Sequence, residues 1–149
     1  MVIMKRILFI LLTFVSLSMS AQSISLREKA AIKQQYINFC KELNQQLPAQ
    51  VDEMTTLNSM AFMNWTLTAT YVVDIDANDV SLEDMASFKD AMHDTFKETA
   101  QKMFASGSYQ VSRAKFRALM KVVGLKFRAI YKDAYNNFMF SVLLDYTDF

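Results

Sequence analysis

Residues 47–73, LPAQVDEMTTLNSMAFMNWTLTATYVV, are where the chain changes its period. Pro48 lacks an N–H and disfavours helix in the residue before it, so a helix arriving from the N-terminal side is expected to end near Leu47. Beyond it, Trp65, Leu67, Ala69, Tyr71 and Val73 alternate with Thr66, Thr68, Thr70 and Val72. A period of two in β-branched and aromatic residues predicts a strand. The run from Thr55 to Met63 is its expected hairpin partner, with the reversal near Asn64. The turn lacks the Asn-Gly pair that would fix its type, so the register stays open.

Working outward, Ser25-Leu26-Arg27-Glu28 has the spacing of a capping box. Ile32, Tyr36, Phe39, Leu43 and Leu47 then recur at steps of three and four, which predicts an amphipathic helix with Cys40 at the edge of its apolar arc. After the hairpin, residues 74–79 form an acidic connection, and Ser81 opens a second helix with the stripe Leu82, Met85, Phe88, Met92, Phe96, Ala100 and Met103. That helix is expected to end between Ala105 and Gly107, because Ser106-Gly107-Ser108 is a flexible tripeptide. Residues 112–123 predict a shorter helix closed by Gly124 as a left-handed cap. Leu125, Phe127, Ala129 and Tyr131 then alternate with Lys126, Arg128, Ile130 and Lys132, and residues 138–145 supply a partner strand. These elements imply an α+β fold. The expected form is a two-layer sandwich, a four-stranded antiparallel sheet with two long helices on one face, in the order α-β-β-α-short α-β-β.

The N-terminus reads as a secretory signal peptide: Lys5 and Arg6, an apolar core from Ile7 to Leu17, then small residues up to Ala21. The polar breaks at Thr13, Ser16 and Ser18 argue against a membrane-spanning anchor, so no transmembrane span is expected once the signal is removed. Residues 22–149 are expected to form a single domain, with the mature chain beginning near Gln22. The full chain carries 16 basic and 15 acidic side chains. Loss of Lys5 and Arg6 leaves a net charge of about −1, which speaks against a nucleic-acid binder. A single cysteine allows no internal disulfide.

Leu47-Pro48-Ala49-Gln50-Val51-Asp52-Glu53, Thr55, Leu57 and the strand Leu67-Thr68-Ala69-Thr70-Tyr71 resemble a family of small exported bacterial proteins of unassigned function. Ala134-Tyr135-Asn136-Asn137 replaces the Gly-containing final hairpin of that family, and its late cysteine has no counterpart. The resemblance implies export and an α+β fold and brings no catalytic residue.

The residues that could carry chemistry do not assemble into a motif. Asp74, Asp76 and Asn78 occupy the first, third and fifth places of a calcium loop, but Asp79 stands where the turn needs Gly and Met85 where it needs Glu. His93, flanked by Asp90 and Asp94, is the only histidine, and a carboxylate metal bundle needs more ligands than that. It is expected at the flank of the apolar stripe, bonded to Asp90 or solvent. Neither metal nor cofactor is expected. Cys40 reads as a buried thiol rather than a nucleophile, and Asp52 and Glu53, adjacent on an extended chain, point to opposite faces. The Asn64-Trp65-Thr66 sequon would be idle in a bacterium.

Arg113, Lys115, Arg117, Lys121, Lys126, Arg128 and Lys132 run without an intervening acid. Lys126, Arg128 and Lys132 fall on the outer face of a strand, where they either protect an edge or meet an anionic surface or partner. If Leu125, Phe127, Phe138 and Phe140 face the helices, then Ile130, Met139 and Leu143 face outward, joined in one register by Met60 and Phe62. Such a face is expected to pair with a second copy or with another envelope protein. Two functional classes follow: an exported non-catalytic binding or interaction domain of the bacterial envelope or the extracellular space, and a small secreted or periplasmic hydrolase with an unrecognised site.

Overall fold

The computed structural model describes residues 24–105 and 112–149. The expected leader with its cleavage point and the Ser106-Gly107-Ser108 tripeptide lie outside them. Helix α1 spans Leu26–Asn44. Its capping box is formed, with Ser25 Oγ accepting from the Glu28 N–H at 3.2 Å and Glu28 Oε2 accepting from the Ser25 N–H at 2.8 Å. Both contacts satisfy backbone donors that the first helical turn leaves free. Strands β1 (Ala49–Gln50), β2 (Thr55–Met63) and β3 (Thr66–Val73) follow, then a short 3-10 turn at Ala77–Asp79. Helices α2 (Leu82–Ala105) and α3 (Arg113–Val123) lead to β4 (Lys126–Lys132) and β5 (Phe138–Leu144). Gly124 caps α3 with φ 73°, the left-handed conformation that its place in the sequence predicts.

The strands form one sheet in the order β1-β2-β3-β4-β5. This corrects the expected four-stranded antiparallel sheet: there are five strands, and β3 runs parallel to β4. The cause is the connection. Between β3 and β4 the chain passes through α2 and α3, a crossover long enough to return it to the end where β3 began. β1 escaped notice because two residues show no period; Pro48 ends the α1 connection, and the Val51 N–H donates to the Thr55 carbonyl at 2.8 Å to close the turn into β2.

One face of the sheet holds the core. Leu67, Ala69, Tyr71 and Val73 are buried and the intervening residues of β3 are only half-buried. The same parity buries Phe127, Ala129 and Tyr131 of β4 and Phe140, Val142 and Leu144 of β5. Against them pack Ile32, Tyr36 and Phe39 of α1, Phe96 of α2, and Phe116, Leu119 and Met120 of α3. Across the middle of this face Tyr71, Tyr131 and Phe140 stack in a row with centroids 5.0 and 4.7 Å apart. Phe88 of α2 meets Phe140 edge-on at 5.6 Å.

Three further expectations need correction. Met60 and Phe62 face the helices: Met60 is buried, and Phe62 stacks on Tyr36 of α1 at 4.9 Å. A bulge between Leu57 and Ser59 shifts the parity of the strand there. Phe138 does not face the helices; a second irregularity, between Tyr131 and Lys132, pairs Phe138 with Lys132 and leaves its ring 64% exposed. Leu82 lies in the first turn of α2, ahead of the sheet, and is exposed, so the core stripe of that helix rests on Phe96 with Met85 and Met92 packed beside it.

The β2–β3 reversal is a two-residue turn in which Asn64 (φ 50°) and Trp65 (φ 58°) are both left-handed. This conformation matches the twist of the flanking strands. Asn accepts it readily, whereas Trp does so at a steric cost. The Trp65 ring meets Phe62 edge-on at 6.0 Å.

Candidate binding face

The face of the sheet turned away from the helices presents the even residues of β3 and β4. Thr66 lies beside Lys126, Thr68 beside Arg128, Thr70 beside Ile130 and Val72 beside Lys132. On the other side of β4, Arg128 neighbours Leu143 and Ile130 neighbours Ser141. Ser59, Ala61 and Met63 of β2 continue the rows beyond the threonines. These positions hold three cations and no acid. Successive same-face residues on a strand are about 6.6 Å apart, so the three charges form a column edged by hydroxyl groups.

Each sequence-predicted surface residue has a definite place. Lys126 and Arg128 are exposed, Ile130 and Lys132 are half-buried, and Leu143 is 40% exposed. Met139 is half-buried at the β5 bulge and packs against the core. The outward apolar residues Ile130 and Leu143 are separated by Arg128 and Ser141, so this face is mixed rather than apolar.

The cations differ in their surroundings. Lys132 Nζ donates to Asn136 Oδ1 at 3.0 Å. Lys126 lies near Asp145, whose carboxyl is held below its usual range by the hydroxyl and N–H of Thr147 and further by the Lys126 charge. Among the described residues the Arg128 guanidinium has no hydrogen bond or ion pair, and it stands mid-face.

Beneath this face, at the end of the sheet near Lys132, the carboxylate of Asp133 joins two loops. It is fully buried and accepts from the N–H groups of Ala77 (3.3 Å), Tyr135 (2.9 Å) and Asn137 (2.7 Å) and from the Asn137 side chain (2.9 Å). Removal from water alone would raise its pKa, but these bonds outweigh that effect and hold it below the ordinary value. Asn136 is left-handed at φ 69°, a conformation that Asn accepts readily.

The other chemical candidates have structural occupations. Asp76 accepts from the Asn78 N–H and side chain at 2.9 and 3.0 Å, capping the 3-10 turn. His93 meets the C-terminal segment, not Asp90: its Nε2 lies 3.2 Å from Asp148 Oδ1, with Asp94 at 3.7 Å from Nδ1. Nothing in the sequence pairs residues 55 positions apart, so this contact was not legible there. Burial pushes the Cys40 thiol up to about 11, which keeps it protonated at neutral pH. Asp52 turns back to accept from the N–H groups of Met54 and Thr55. Among the described residues no three His, Cys, Asp or Glu side chains converge as a metal site, and no helix is long and apolar enough to cross a membrane.

With this geometry in hand, comparison with known proteins gives likeness of fold. No protein-family model matches the chain, and no curated protein is similar to it. The fold is similar to the crystal structure of a Pseudomonas aeruginosa protein assigned to the secreted class, with TM-score 0.55 at 15% identity over 85% of this chain and 98% of that one. It is also similar to a pilotin of the Vibrio vulnificus type 2 secretion system, with TM-score 0.51 at 9% identity over 83% of this chain and 96% of that one.

Proposed function

We propose that this chain is an exported, non-catalytic interaction domain of the bacterial envelope whose outer sheet face meets an anionic partner. The observation that carries the reading is the column of Lys126, Arg128 and Lys132 on the outer face, bordered by Thr66, Thr68 and Thr70, with Asp145 near Lys126 at one end. Cations and hydroxyl donors on a rigid sheet are suited to carboxylate, sulfate or phosphate groups. Export is supported by the leader, by the resemblance of residues 47–71 to small exported proteins, and by a fold shared with an envelope secretion component. A small exported hydrolase remains the second class; its only thiol, Cys40, is buried, and its only histidine is engaged by Asp148.

The test replaces Lys126, Arg128 and Lys132 by Gln and compares retention on an anionic matrix with that of a matched change at Lys29, Lys33 and Lys41 of α1. The first triple is expected to weaken retention several-fold more than the second. Equal losses would reduce the column to ordinary surface charge.

A further inference from the structure

The two edges of the sheet are finished differently. At the β2 edge, Ala49 and Gln50 cover Leu57 and Thr56, and beyond them the side chain of Asn44 pairs with Met60 as a strand residue would. Its Nδ2 donates to the Met60 carbonyl at 2.7 Å and its Oδ1 accepts the Met60 N–H at 2.8 Å. The β5 edge has no such cover. The Lys126 N–H donates to the Trp65 carbonyl at 2.8 Å, so even residues of β4 bond towards β3 and odd residues towards β5. With Phe127 opposite Leu144, Ala129 opposite Val142 and Tyr131 opposite Phe140, the even residues of β5 use their backbone groups inward. Those of Ser141 and Leu143 therefore point out of the sheet, and among the described residues no backbone partner occupies them. An edge of this kind ordinarily carries Lys, Pro or a covering loop; the β5 sequence FMFSVLL has no charge and no proline.

We infer that the β5 edge pairs with β5 of a second copy, antiparallel about a two-fold axis through Ser141. The strand is complementary to itself in that register. Ser141 faces Ser141, two small residues whose outward amides exchange both hydrogen bonds. Phe140 meets Val142 of the other copy on each side, within the regular part of β5 that follows the Met139 bulge, so the flanking pairs are apolar and no like charges oppose each other. An isologous contact of this form closes at two subunits and leaves neither β5 edge free. It would also place both Arg128 columns on one continuous ten-stranded sheet, doubling the cationic face that the proposed function requires. The pairing itself rests on the strand edge and not on that reading.

The experiment uses the protein exported through its own leader and purified. Light scattering coupled to gel filtration is expected to give twice the chain mass at micromolar concentration. Ser141→Pro removes only an outward N–H, which an edge strand tolerates; it should give the single-chain mass with an unchanged circular dichroism spectrum. Ser141→Cys should form an intermolecular disulfide on mild oxidation, since directly opposed hydrogen-bonded residues have Cα atoms about 5.5 Å apart, within disulfide reach. A wild-type protein that is monomeric at tens of micromolar would overturn the inference. So would a dimer that survives Ser141→Pro while Ser141→Cys fails to crosslink. Retention of the Ser141→Pro chain on an anionic matrix reports on the cationic column separately.

Discussion

Tyr71 is buried between Leu57 and Tyr131, and its hydroxyl oxygen has no hydrogen-bond partner among the described residues. Burial, with the neighbouring Tyr131 adding to it, pushes its phenol far up. A buried, unsatisfied hydroxyl costs about 1–3 kcal/mol. Tyr71→Phe keeps the ring stack and removes the orphan, and it is expected to raise stability by about 1 kcal/mol in urea titration; a loss of stability would mean that the hydroxyl has a partner such as buried water. Gly124 presents the opposite case. A Cβ there would meet open space, but φ is +73°, so the strain is in the backbone alone. Gly124→Ala should cost about 1 kcal/mol with no change in the packing of α3, read as a lowered urea midpoint at unchanged slope. The sequence foretold Gly124, because a glycine after a helical stripe has few other uses. It was silent on Tyr71, whose missing partner depends on which residues three other elements bring near it.

Elements that carry a long period were legible, and those made by pairing were not. The Ser25 capping box and the apolar stripes located α1 and α2, although α1 ends at Asn44, three residues short of Leu47, and alternation placed β3, β4 and β5. Parallel pairing of β3 with β4 was missed because strand direction is set by the crossover, and nothing in residues 66–73 or 126–132 encodes it. Single-residue bulges at Asn58 and near Met139 then turned Met60, Phe62 and Phe138 to unexpected faces, since parity arguments fail at the first irregularity. Two contacts between elements lead to predictions. Asn44→Ala leaves the Met60 N–H and C=O without their partner at an open edge; the expected loss is about 1–2 kcal/mol, with added aggregation on heating seen by light scattering. Asp133 ties the 74–79 loop to the β4–β5 turn. Its folded pKa is lowered, so its contribution is complete above the ordinary carboxylate pKa of about 3.9 and is lost as the pH falls through the folded value. Asp133→Asn should lower the melting temperature at neutral pH and flatten the acid limb of the stability curve below about pH 4; an acid limb identical to that of the wild type would remove Asp133 from this role.

A whole molecule with a mature net charge of about −1 by side-chain count gains nothing from its total charge when it approaches an anionic surface. Retention has to come from unequal distribution, and the outer face is where the cations outnumber the acids. At physiological ionic strength charges interact over about 8 Å. Lys126 and Arg128, about 6.6 Å apart along β4, act together on one anionic group, whereas Lys132 lies about twice as far from Arg128. Lys126 lies near the Asp145 carboxylate, and Lys132 is tethered to Asn136. Arg128 keeps its charge unshared and offers a planar fork that binds carboxylate or sulfate through two bonds. Single substitutions should therefore rank unequally: Arg128→Gln is expected to lower the salt concentration of elution from an anionic column more than Lys126→Gln, and Lys126→Gln more than Lys132→Gln. Arg128→Lys should recover part of the loss, because the point charge returns without the fork. Three equal single effects would show that the matrix senses only the summed charge of the face, and the proposed role of Arg128 at its centre would fall.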